Sequence, residues 1–115
     1  MYQFTYAEVV EDSPQEMRAR EREALARCIE MLEAAESSGP QSHEAQGALA
    51  NLRRLWTIFV EDLSSDANDL PFELRAQLIS IGIWVFKEIE RLRAGTAKSF
   101  TDLIEINAII RDGLI

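Results

Sequence analysis

A chain of 115 residues is about one domain's worth of protein, and 32 residues of Leu, Ile, Val and Phe are enough to build a core. Its 12 basic and 20 acidic side chains leave a formal charge of −8, which repels phosphate backbones and anionic membrane surfaces, so no direct nucleic-acid contact is expected. One cysteine and one histidine exclude an internal disulfide and a zinc cluster built from those residue types.

Residues 1–12 read as an N-terminal arm in which Tyr2, Phe4 and Tyr6 alternate; it either lies extended over the domain or frays. With neither a basic nor an apolar stretch at its start, no secretory signal is expected, and with one cysteine a reducing cytoplasm is the expected compartment. Ser13-Pro14-Gln15-Glu16 then joins a capping box to a proline at the first helical position, predicting a helix over 14–37. Met17, Leu25, Cys28, Ile29, Leu32 and Ala35 share its apolar face, and Ser37-Ser38-Gly39-Pro40 ends it. Its mixed Glu and Arg residues form a solvated face.

A second helix is predicted over 42–64, with Ala45, Leu49, Leu52, Trp56, Phe59, Val60 and Leu63 at spacings of three and four. Pro71 opens a third, ending near Gly95, on which Leu74, Leu78, Ile81, Val85, Ile89 and Leu92 make one stripe while Ile79, Ile83 and Phe86 fall on the far side. A helix apolar all round is either central in a bundle or covered by something else. Ser99 and Asp102 resemble a further cap, starting a short helix over 100–112 with Leu103, Ile106, Asn107, Ile110 and Leu114 on one face. No segment alternates long enough for a sheet.

These signals predict an all-α fold: a small antiparallel bundle of about four helices with a short C-terminal helix, one domain over 1–115, the third helix central. The expected core is Leu25, Ile29, Leu32, Leu49, Leu52, Trp56, Phe59, Leu74, Leu78, Ile81, Val85, Ile106 and Ile110. The longest uncharged stretch, Ala76 to Phe86, falls well short of the roughly 20 apolar residues that span a bilayer, so no membrane crossing is expected.

Catalysis finds little support. His43 stands beside the Ser42 cap without a dyad partner, Cys28 lies on an apolar face, and no helix carries a Glu-x-x-His metal pair or a glycine-rich phosphate loop. No catalytic residue, metal or cofactor is expected, and the chain reads as a non-enzyme. Arg53-Arg54 beside Trp56 could suggest nucleic acid, but Trp56 belongs to the buried stripe and cannot serve as a stacking platform. What remains is surplus apolar surface. Ile58, on the polar side of the second helix near Asn51 and Arg54, together with Ile79, Ile83 and Phe86, are the candidate partner-binding residues, unless the third helix is simply touched on all sides. Asn107 sits amid an apolar face and must hydrogen-bond to something; capping or bridging backbone groups at a neighbouring helix end or loop, and so fixing where the last helix docks, is the expected role, with direct contact to a partner the alternative.

Three blocks in order, Asn51-Leu52-Arg53-Arg54-Leu55-Trp56-Thr57-Ile58-Phe59, then Leu70-Pro71-Phe72-Glu73-Leu74-Arg75 leading to Ser80-Ile81-Gly82-Ile83-Trp84-Val85, then Leu103-Ile104-Glu105-Ile106-Asn107 through Ile110 to Gly113-Leu114, resemble the FlaF family of flagellar biosynthesis regulators. The resemblance covers roughly residues 2–115. It departs at Leu52, where an asparagine is expected before the arginine pair. The resemblance implies a small cytoplasmic, non-enzymatic protein that works in flagellin production and export, either as a flagellin-binding export chaperone or assembly regulator, or as a post-transcriptional regulator acting with an FlbT-like protein or messenger RNA. Flagellin is the partner it implies.

Overall fold

Each predicted span becomes a helix whose ends differ from expectation by no more than one residue. The computed structural model describes residues 14–113: α1 is Pro14–Ser38, α2 His43–Ser64, α3 Phe72–Ala94 and α4 Thr101–Gly113, with no strand among the described residues. The arm over residues 1–12, the Ser13 half of the first capping box and Leu114 lie outside the described residues.

Cap chemistry explains the boundaries. Ser42 has an extended backbone and its Oγ accepts the Ala45 N–H at 3.1 Å, satisfying a donor that the first turn of α2 leaves over. At the other end of α2, Arg75 Nη1 donates to the Leu63 and Ser65 carbonyls at 3.3 and 3.4 Å, so a side chain of α3 closes α2. Gly95 ends α3 with φ +82, a left-handed conformation that only glycine adopts without cost, and it lets Thr96 N–H return to the Arg91 carbonyl. The start of α4 is held from outside: the Glu36 carboxylate of α1 accepts the Phe100 N–H at 3.1 Å, while Ser99 Oγ accepts that of Thr101.

The helices run antiparallel in sequence, and α4 returns along α1. The principal pairings are α1 with α2, α2 with α3, and α1 with α4. Helix α3 is therefore not central, contrary to its all-round apolar pattern. Its apolar residues are divided by face and by length: Val85, Ile89 and Leu92 are buried, Ile83 and Trp84 at mid-helix point away from them and are exposed, and toward the N-terminus Leu74 is exposed as well. Leu74, expected in the core, is 40% exposed. Leu25, Ile29, Leu32, Leu49, Leu52, Trp56 and Val85 are buried as expected, and Phe59, Ile81, Ile106 and Ile110 pack half-buried against them. Phe100 and Leu103, absent from the expected core, are fully buried in it.

Helices α2 and α3 approach closely at Gly82, where an added Cβ would lie 2.7 Å from Val60 Cγ2 and 3.1 Å from the Trp56 ring. Gly47, on the exposed face of α2, has open space around it. The same substitution should thus have opposite signs. Gly47→Ala gains up to about 1 kcal/mol of helix propensity, whereas at Gly82 a clash of about 1–3 kcal/mol outweighs that gain; denaturant titrations of the two variants check the pair.

Candidate functional site

Helix lengths create a cleft. At 1.5 Å per residue α4 is only about 20 Å long against about 37 Å for α1, so after starting beside Glu36 it ends well before the N-terminus of α1. The cleft continues the track of α4 from Ile109, Ile110 and Gly113. Trp56, Phe59 and Leu63 of α2 form its floor, Met17, Arg18 and Glu21 of α1 one wall, Leu74 and Leu78 of α3 the other, and the loop residues Asn68, Asp69 and Leu70 close its far end. Its volume is about 650 Å³. Met17, Leu70, Leu74 and Ile109 all reach solvent there, which large apolar side chains do at a cost.

The floor is fixed by a buried polar pair. Trp56 Nε1 donates to Asn107 Oδ1 at 2.7 Å, and Asn107 Nδ2 donates to the Leu103 carbonyl one turn back on α4 at 2.7 Å. Both side chains are buried, so the two bonds satisfy the indole N–H and the amide together. The amide thus joins α4 to the middle of α2 through a side chain, where backbone groups at a helix end were expected. Phe59 meets the Trp56 ring edge-on at 5.4 Å between centroids, extending the aromatic floor.

Carboxylates rim the cleft. Burial, reinforced by the neighbouring Asp62 carboxylate and only partly offset by Arg18, pushes the Glu21 pKa above its ordinary value.

The sequence-nominated residues do not gather in this cleft. Asn51, Arg54 and Ile58 line a shallower depression between α1 and α2 of about 130 Å³, in which Asn51 Nδ2 donates to Cys28 Sγ and Met31 Sδ and its Oδ1 accepts from Arg54. Ile58 is 55% exposed. On α3, Ile83 is exposed, Ile79 is half-buried, and Phe86 is packed against the core with the Arg53 guanidinium 5.6 Å above its ring. Cys28 is buried, and burial raises its thiol pKa, which fits a core side chain and not a nucleophile. His43 is exposed in the first turn of α2. Among the described residues no group of His, Cys, Asp and Glu is placed to hold a metal ion, and no helix is long and apolar enough to cross a membrane.

The family described as Flagellar protein FlaF matches residues 2–114. The chain belongs to the FlaF family. No curated protein and no solved structure matches it. All three sequence blocks that carry the resemblance contribute to the FlaF cleft: Trp56 and Phe59 from the first, Leu70 and Leu74 from the second, Ile110 and Gly113 from the third. Sequence reasoning missed Met17, Leu70, Leu74 and Ile109 as surface features because their spacing assigns most of them to seams. The signal available was the shortness of the fourth helix, which cannot cover three longer ones.

Asn107→Leu in this FlaF chain should lower stability by about 1–3 kcal/mol, because the buried Trp56 N–H loses its acceptor. In a Trp56→Phe background the same change should cost clearly less, and a double-mutant cycle by denaturant titration reads the difference. A carboxyl with a raised folded pKa binds protons more tightly in the folded state, so its contribution to stability is lost as pH rises through that value. Glu21→Gln should therefore raise the melting temperature at pH 7 and leave it nearly unchanged at pH 3, where the carboxyl is protonated in both states.

Proposed function

We propose that the protein is a cytoplasmic flagellum biogenesis factor that binds flagellin, as an export chaperone or assembly regulator, and that flagellin's terminal segment lies in the cleft between α1 and α3. The observation that carries this reading is the cleft itself: an apolar floor, the apolar α3 wall of Leu74 and Leu78, and Met17 on the otherwise charged α1 wall, on the track of α4 in a chain of the FlaF family. An amphipathic helix placed there continues α4 and buries Leu74, Met17 and Ile109 against its own apolar face, the helix-in-groove mode of recognition. Segments that fold only on assembly must keep such faces covered beforehand, and a cleft of this kind supplies the cover.

The formal charge of −8 favours a protein partner over messenger RNA. Regulation of flagellin synthesis with an FlbT-like protein is the alternative, and it predicts a complex with that protein or with RNA and no affinity for flagellin itself. The competing locations for the partner are the exposed α3 surface at Ile83, with Ile79 and Phe86 on the same helix, and the depression lined by Asn51, Arg54 and Ile58.

Labelled peptides from the flagellin termini, titrated against two variants, separate these readings. Both positions are exposed, so neither change should disturb folding. Leu74→Asp should weaken binding at least tenfold and Ile83→Asp should leave it near wild type. The reverse pattern moves the partner to the α3 surface at Ile83, and no binding of any flagellin segment by the wild-type chain refutes the chaperone reading.

A further inference from the structure

Several carboxylates of the bundle are held by a partner: Glu88 by Arg91, Glu90 by Arg53 and Arg93, Asp112 by Arg111, and Glu36 by the Phe100 N–H. The cleft is different. Glu21, Asp62 and Asp69 line it beside the guanidinium of Arg18, and among the described residues none of these three carboxylates is in an ion pair. Asp62 accepts the Asn68 amide at 3.1 Å, a donor without charge. Glu21 is half-buried on α1 and near enough to Asp62 of α2 to be repelled by it, which together with burial disfavours its charged form. An incoming cation relieves that repulsion, whereas an incoming carboxylate adds to it.

The two walls are also unlike each other. Leu74 and Leu78 on α3 offer apolar surface, while the α1 side presents Glu21 with Asp62 next to it. An occupant that lies along the floor therefore meets apolar side chains on one flank and unpaired carboxylates on the other. Its length is bounded as well. Helix α1 has 25 residues and α4 has 13, so α1 outruns α4 by roughly 17 Å, the rise of about three helical turns or eleven residues.

We infer that the cleft selects an amphipathic helix of about three turns whose flank toward α1 carries a lysine or arginine, the cation lying within reach of both Glu21 and Asp62. The apolar face supplies the burial and the cation supplies the choice among apolar helices, because a helix with an acidic flank brings a third carboxylate to two that already repel each other. That a helix occupies the cleft rests on the function proposed above; the basic flank rests on the unpaired carboxylates.

Designed peptides of about eleven residues, stapled as helices on the solvent side, test it against the full chain. They share a leucine face at i, i+3, i+4 and i+7 spacing and differ only in bearing Lys, Gln or Glu on one flank. The Lys peptide should bind roughly tenfold or more tightly than the Glu peptide, with Gln between them, and Leu74→Asp should weaken all three. In the double variant Glu21→Gln with Asp62→Asn the Lys preference should largely vanish, while in Glu30→Gln with Glu105→Gln, which removes the same charge from exposed positions outside the cleft, it should persist. The amide at position 62 keeps an acceptor for Asn68, so the first variant should fold like the second. A preference that falls equally in both double variants reports net charge alone and overturns the inference. So does equal binding of the three peptides, binding indifferent to Leu74→Asp, or no binding of any of them. The flagellin reading fails separately: if the Lys preference holds and the flagellin peptides do not bind, the cleft takes a basic amphipathic helix from another protein.

Discussion

The hydrogen bond between the Trp56 indole and the Asn107 amide is the constraint from which the other arrangements follow. Trp56 is the largest buried side chain, and it touches three neighbours at once: the amide on α4, the backbone of α3 at Gly82, and the edge of Phe59. Turning the ring would orphan a buried N–H and collide with α3. Its orientation is accordingly fixed by two different kinds of force, one directional and one steric. Because its ring is also the floor of the cleft, the surface offered to a ligand is set by the packing of all the helices around it.

Polar groups inside the bundle work as fasteners for the shortest and least self-sufficient element. Helix α4 has 13 residues, a length that is marginal in isolation. Glu36 holds its first free N–H and Asn107 ties its middle to α2, while Leu103 and Phe100 contribute the apolar burial. Glu88, the other buried polar side chain among the described residues, is paired with Arg91 at 2.7 Å. The α2–α3 turn is secured in the same manner by Arg75 and by Asn68, which accepts the Leu70 N–H and donates to Asp62. The far wall of the cleft therefore stands on a braced loop.

Much of this was legible in the sequence because the boundaries are written in local chemistry. Ser42, Pro71, Gly95 and the Gly39-Pro40 pair each act within a few residues of where they stand, so the helices could be placed from them. The burial of Leu49, Leu52 and Trp56 followed from spacing alone. Periodicity was silent on how far a neighbour extends. Leu74 has the same phase as Val85 and Leu92, yet it lies where α4 no longer reaches, so one stripe is core at one end and cleft wall at the other. Phe100 was invisible for the opposite reason: it precedes its helix, and no period marks a loop residue whose N–H is claimed by a carboxylate 64 positions away. Ile58 and Ile83 were singled out by phase and are exposed, but on surfaces separate from the cleft.

The return of α4 along α1 also sets the order in which the molecule can assemble. The α1–α2 and α2–α3 pairings join helices adjacent in the chain through short turns, whereas the α1–α4 pairing closes a loop that contains both intervening helices. Closing a longer loop forfeits more chain entropy before any contact repays it, and contacts between distant segments slow folding. The three long helices are thus a hairpin stack that can form first, with α4 as the final, most easily reversed step. The end of the molecule that carries the cleft is then also the end where native-state opening begins.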